Sequence, residues 1–221
     1  MFPESFTFSI ADWVNGWVDA LVTHYGDVFR HISDTLLWAI VNLEGLLRMA
    51  PWWLMLAIVG GIAWHATRKL LTTAVIVGLL FLVGAVGLWD KLMQTLALML
   101  VATLISVLIG IPLGILSARS NRLRSVLMPL LDIMQTMPSF VYLIPVLMLF
   151  GLGKIPAIIA TVIYAVPPLI RLQDLGIRLV DREVLEASRA FGANPRQQLF
   201  GVQLPLALPN IMAGINQTPM M

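Results

Sequence analysis

The residues from Leu70 to Trp89 contain no charged side chain over 20 consecutive positions. A helix of that length rises about 30 Å, which matches the hydrocarbon core of a bilayer. The whole chain is 59% hydrophobic and 12% charged, whereas soluble domains are about 45–50% apolar and about 25% charged. The sequence therefore excludes a soluble enzyme domain and predicts an all-α, polytopic transmembrane helical bundle.

Other apolar segments lie along the chain, and the last of them reaches its end. In order, the apolar segments are residues 52–64, 70–89, 92–118, 126–150, 155–170 and 206–221. We expect five spans and the start of a sixth. Because no basic flank follows the sixth, we expect the chain to be part of a longer protein.

The first fifty residues carry an amphipathic pattern. Apolar residues recur with helical spacing at Ile10, Trp13, Trp17, Leu21, Val28 and Ile32, and acidic or other polar residues occupy the opposite side. This pattern predicts a helix that lies along a membrane interface or packs on a bundle. Its polar side is acidic, whereas helices on anionic leaflets are usually basic. We therefore expect an extracytoplasmic or scaffold position.

Basic residues alternate between the two sets of connections. Ten fall on one side, at Arg68, Lys69, Arg119, Arg122, Arg124, Arg171, Arg178, Arg182, Arg189 and Arg196. Four fall on the other side, at Arg30, Arg48, Lys91 and Lys154. The positive-inside rule then predicts that the amino terminus is outside and that residues 171–205 are cytoplasmic.

The predicted cytoplasmic segment, residues 171–205, carries the signals of two short helices. Asp181 is a candidate N-cap, and Gly192 supplies the left-handed position that ends a helix. Asn194-Pro195 is a second N-cap and N1 pair, which opens a helix that we expect to stop before Pro205. A solvated connection is one interpretation of this segment. An ordered loop of this length is uncommon in a bundle, however, and is usually functional.

A motif lies inside this segment. It consists of Glu186, Ala187, Ser188, Gly192, Leu204 and Pro205. It resembles the EAA motif of the membrane permeases of bacterial ABC importers, with Ser188 where alanine is frequent. Four stretches are similar to the permeases of glycine betaine and proline betaine importers: residues 131–145, 164–171, 174–178 and 213–218.

The resemblance covers roughly residues 90–218 and implies a type I ABC importer permease. It implies a permease core within 90–221. Before that core we expect an amphipathic scaffold helix in 1–50, from its periodicity, and two accessory transmembrane helices in 51–89. The implied partners are two cytoplasmic ATPase subunits, an extracytoplasmic substrate-binding protein and a second permease copy. The chain has no phosphate-binding G-x-x-x-x-G-K-[ST] loop. We therefore expect ATP on the partner, and neither catalysis nor a bound cofactor on this chain.

The motif residues are the candidates for coupling to the ATPase. In this hypothesis the helix over 181–191 docks into a cleft on the ATPase, with Glu186 making a polar contact and Gly192 forming the corner. The resemblance implies that the transported solute is glycine betaine, proline betaine or a similar osmoprotectant. The alternative solute is choline, carnitine or another small molecule. The alternative class of protein is a standalone channel or secondary transporter.

Polar residues within the spans are candidates for the translocation path. They are Asp132, Gln135, Thr136, Pro138, Asn216 and Gln217. Two interpretations of Asp132 remain open: a buried carboxylate that faces a quaternary ammonium, or an ion pair with Arg124 near the end of the span. Asn216 and Gln217 either line the path or form interhelical hydrogen bonds.

Other conspicuous residues are expected to be structural. Four tryptophans fall at span ends and favour an aromatic belt over a cation-binding cage: Trp52, Trp53, Trp64 and Trp89. Gly110 and Gly114 form a small-x-x-x-small pair that permits close helix packing. His24 and His31 lack a third ligand, so we expect no metal site.

Overall fold

The structure, a computed structural model, describes residues 10–220. Within that range the chain is helical and contains no strand, and the predicted all-α class is confirmed. The helices are α1 Ile10–Met49, α2 Trp52–Thr67, α3 Leu70–Ala85, α4 Trp89–Arg119, α5 Asn121–Thr136, α6 Ser139–Phe150, α7 Lys154–Arg178, α8 Arg182–Ala190, α9 Pro195–Gln198 and α10 Leu204–Gln217. A π-helical turn, Leu199–Gln203, joins α9 to α10.

The described helices form two compact units. The smaller unit comprises Leu37–Val101, and the larger unit comprises the remaining described residues. In the smaller unit α2 packs on α3, and the rings of Trp52 and Phe81 lie 6.4 Å apart. Helix α3 ends at Ala85, before the predicted limit of 89, because the chain turns at Gly87 with a φ of 82°.

Three helical stretches of the described residues are long and apolar enough to cross a membrane. They are α4, α7 and the continuous stretch Pro195–Met220. Two bent pairs raise the number to five if each pair is one span: α1 with α2, at 96°, and α5 with α6, at 94°.

The predicted span over 126–150 is therefore not one straight helix. It breaks at Met137-Pro138, where Met137 adopts an extended backbone with ψ of 134°. The cause is Pro138, whose ring disfavours the helical conformation in the residue before it. The amide that proline lacks also removes one helical hydrogen bond.

Helix α7 lies at the centre of the larger unit and packs on α5, α6 and α10. A Cβ atom added to Gly176 of α7 would lie 2.6 Å from Cβ of Asn210. One added to Gly114 of α4 would lie 2.8 Å from Cβ of Gln173, and one added to Gly110 would lie 2.6 Å from Leu169. The packing interpretation of the glycine pair is confirmed.

An apolar cluster fills the crossing of α7 and α10. It is formed by buried Ile177, Ala207 and Ile211, with partly buried Ile111, Ile115, Ala118, Leu204 and Ile215 packed around it. Because lipid tails are as apolar as these side chains, the gain comes from close packing rather than from removal of water.

A methyl group at Gly176 should separate α7 from α10. We expect Gly176→Ala to destabilise the folded protein by about 1–3 kcal/mol, the usual cost of overpacking. Gly78→Ala is the matched control, since Gly78 is also helical and a Cβ there meets nothing within 4 Å. The measurement is the fraction of protein that remains monodisperse in detergent after heating. Equal melting of the two variants would contradict the close crossing.

Candidate functional site

Helix α8 begins and ends at the residues that the sequence indicated. The Asp181 side chain accepts a hydrogen bond from the Glu183 backbone N–H at 2.9 Å, which caps the first turn. At the other end Gly192 adopts a φ of 83°. Its N–H donates to the carbonyl of Arg189 at 2.8 Å. The left-handed conformation turns the chain sharply, as glycine does at the C′ position.

Helix α9 is fixed by a capping box. The Asn194 side chain accepts from the backbone N–H groups of Arg196, at 3.0 Å, and Gln197, at 2.9 Å. The Gln197 side chain accepts in turn from the Asn194 N–H at 2.9 Å. The predicted Asn194-Pro195 start is confirmed.

The prediction that this second helix stops before Pro205 was wrong. The chain stays helical through the π-helical turn and into α10, with Pro205 in the first turn of α10. In the π-helical turn the Leu204 N–H donates to the carbonyl of Leu199, five residues back. The hydrogen-bond register changes just before the proline, and proline is tolerated in a first helical turn.

Gln198 fastens α8 to α9 and was not singled out from the sequence. Its amide nitrogen donates to the Leu185 carbonyl at 2.7 Å and to the Ser188 hydroxyl at 3.0 Å. Its amide oxygen accepts from Arg189 Nε at 3.3 Å. The side chain is buried. An isolated glutamine has no periodic signal, so only the fold shows that it closes this corner.

The opposite side of α8 is exposed. Glu186, Ala187 and Val184 lie on the surface, and Phe191 at the corner is 92% exposed. Ser188 alone of the motif triplet turns inward, toward Gln198. A short helix with exposed apolar and small side chains suits insertion into a groove of a partner. Of the remaining motif residues, Leu204 is half-buried and Pro205 is exposed.

The candidate path residues on α5 lie at its exposed end. Asp132 is 63% exposed and forms an ion pair with Arg171 of α7. Arg124, the partner expected from the sequence, instead pairs with Asp174 at 3.0 Å. Both ion pairs therefore connect α5 to α7. The fold brings Arg171 and Asp174 of α7 to these two side chains, which lie two turns apart on α5 and do not pair with each other.

The other path candidates are also exposed. Thr136 donates to the Ile133 carbonyl at 2.9 Å within its own helix. Gln135, Pro138, Asn216 and Gln217 lie on the surface. Their assignment to a translocation path stays a prediction.

Comparison with known proteins matches residues 110–217 to the binding-protein-dependent transport system inner membrane component family. The glycine betaine/proline betaine transport system permease protein ProW of Escherichia coli (strain K12) is 46% identical over 209 residues, which are 95% of this chain and 59% of that protein. The chain thus spans about three fifths of the length of ProW.

Two further relatives are covered more fully. The glycine betaine transport system permease protein OpuAB of Bacillus subtilis (strain 168) is 39% identical over 96% of this chain and 75% of that protein. The glycine betaine/carnitine transport permease protein GbuB of Listeria monocytogenes serotype 1/2a (strain 10403S) is 41% identical over 99% of this chain and 78% of that protein. Because this identity extends over most of the chain and most of each relative, the chain belongs to the family of binding-protein-dependent transport system inner membrane components.

Proposed function

We propose that this chain is the membrane-spanning permease subunit of an ATP-driven importer of glycine betaine, proline betaine or a similar osmoprotectant. The observation that carries the proposal is the α8–α9 corner, whose two helices are capped and joined by the hydrogen bonds of Gln198. Its exposed side, which includes Glu186, Ala187 and Phe191, has no partner within the described chain. The names of ProW, OpuAB and GbuB, all of which include glycine betaine, support the cargo.

The partner of the corner is a separate ATPase, on which ATP is bound and hydrolysed. Phe191 and Ala187 offer apolar contact and close backbone approach, and Glu186 offers one charge for a polar contact. The corner moves with the ATPase as a rigid body, since Gln198 and the two caps fix its shape. This chain moves solute and makes no bonds.

An extracytoplasmic binding protein and a second permease copy complete the assembly. The family description names dependence on a binding protein, which supports the first of these partners. With the amino terminus outside, the binding protein docks on the extracytoplasmic side of the membrane.

The solute path runs past the break between α5 and α6. Asp132, Gln135 and Thr136 lie in the last turns of α5 beside that break. A broken helix leaves carbonyl groups without helical partners, and such groups line cavities that receive polar solutes. A quaternary ammonium is attracted by those carbonyl oxygens, whereas the Asp132 carboxylate is already paired with Arg171.

Uptake of labelled glycine betaine tests the whole proposal. The protein is reconstituted in liposomes with the ATPase and the binding protein encoded beside it. We expect uptake that requires ATP and both partners. ATP-dependent uptake of choline or carnitine, but not of glycine betaine, would change the proposed solute. Flux without the ATPase would make the chain a channel or secondary transporter.

The corner is tested by Gly192→Val. A β-branched residue at a φ of 83° is strained, so we expect the corner to distort and ATP-driven uptake to fall at least about tenfold, with insertion unchanged. Gly192→Asn is the control, because asparagine tolerates the left-handed conformation. Normal uptake by the valine variant would exclude this role for the corner.

Topology is tested by labelling with a membrane-impermeant maleimide. The 221 residues contain no cysteine, so a single cysteine introduced in this chain reports one site. We expect Asp27→Cys to react in intact cells and Arg196→Cys to react only after the membrane is opened. The reverse pattern would invert the proposed orientation.

A further inference from the structure

A buried carboxylate near the end of α7 joins three helices. Asp174 is 2% exposed. Its Oδ1 accepts from Ser117 Oγ of α4 at 2.9 Å, and its Oδ2 accepts from Arg124 Nε of α5 at 3.0 Å. Arg178, one turn further along α7, donates from Nε to Oδ1 at 3.2 Å. A single side chain thus holds partners from α4, α5 and its own helix.

Arg178 closes this arrangement into a ring. Its Nη2 donates to the backbone carbonyl of Ser117 at 2.9 Å. Ser117 lies in the last turn of α4, where carbonyls have no partner within the helix. The guanidinium therefore satisfies an end of α4 and a carboxylate of α7 together. Charge-assisted hydrogen bonds of this kind are stronger than neutral ones.

The ring is continuous with the α8–α9 corner. Arg178 is the last residue of α7, buried Val180 follows, and Asp181 caps α8. At the other end of the corner, α10 packs on α7 through the contact of Asn210 with Gly176. Both ends of the corner are therefore anchored on the same two turns of α7.

A second ion pair also joins α5 to α7 but is a weaker connection. Asp132 is largely exposed where it meets Arg171, whereas Asp174 is buried. Exposed pairs contribute little, but a buried charge that loses its partners is strongly unfavourable. The ring at Asp174 is thus the principal polar connection between the ends of α4, α5 and α7.

We propose that Asp174 is a positioning residue for transport: it fixes the ends of α4 and α5 to the base of the corner, so that movement of α8 reaches the broken α5–α6 pair. This inference rests on the proposed function. Without the carboxylate, Arg124 and Arg178 lose their shared counter-charge, and α8 moves without α4 and α5. ATP is then hydrolysed without proportionate solute movement.

The test is Asp174→Asn in the complete complex with its ATPase and binding protein. Three quantities are measured in liposomes: ATPase retained with the permease, stimulation of ATP hydrolysis by the loaded binding protein, and solute taken up per ATP. We expect retention of the ATPase, loss of stimulation, and a fall in uptake per ATP of about fivefold or more, the usual scale of coupling between sites.

Two variants serve as controls. Asp174→Glu keeps the charge, so it should recover part of the stimulation. Arg122→Gln removes an exposed charge two residues before Arg124, outside the hydrogen bonds of Asp174, so it should match the unmodified complex in all three measurements.

Unchanged stimulation and unchanged uptake per ATP in Asp174→Asn would overturn the inference, as would equal loss in Asp174→Glu. If Asp174→Asn fails to assemble, Ser117→Ala decides, because it removes one hydrogen bond and leaves both ion pairs. Normal stimulation in Ser117→Ala would then overturn the inference, and reduced stimulation would support it. Stimulation without betaine uptake in the unmodified complex would refute the proposed cargo and leave the role of Asp174 measurable.

Discussion

Glycines at helix crossings are the constraint on which the larger unit depends. Where α4 and α10 meet α7, backbones approach so closely that an added Cβ at Gly114 or Gly176 would overlap a neighbouring Cβ. In lipid, where burial of apolar surface yields little, such contact is the main source of helix association. The crossings hold α7 in the centre, and α7 in turn determines where the α8–α9 corner leaves the bundle.

The polar groups of the larger unit have a different task from the glycines. Close packing places α7 among its neighbours but does not prevent one helix from sliding past another. The ring at Asp174 fixes directions and distances, since hydrogen bonds and ion pairs tolerate little displacement. Gln198 does the same on a smaller scale between α8 and α9. Packing and polar fixation together produce a rigid path from an exposed corner to the helices.

Local rules predicted what local chemistry determines. The caps at Asp181 and Asn194 and the corner at Gly192 follow from nearest-neighbour effects, so the sequence was sufficient. Contacts between distant residues were not predictable in this way. Of the two interpretations of Asp132, the ion pair with Arg124 was wrong, because helical spacing gives neighbours on one helix and says nothing of a second.

The π-helical turn between α9 and α10 gives the number of residues in this stretch a particular importance. Each residue of a helix turns the chain by about 100°, and the π-helical turn Leu199–Gln203 holds one residue more per turn than an α-helix would. Because the extra residue is taken up within that turn, deleting one residue there would restore an α-helical turn and leave α8 facing roughly as before. Deleting one residue from the α-helical turns of α10 would instead rotate α8 about the helix axis by roughly 100° and turn Phe191 sideways, so the π-helical turn is the place in this stretch where the length of the chain can change.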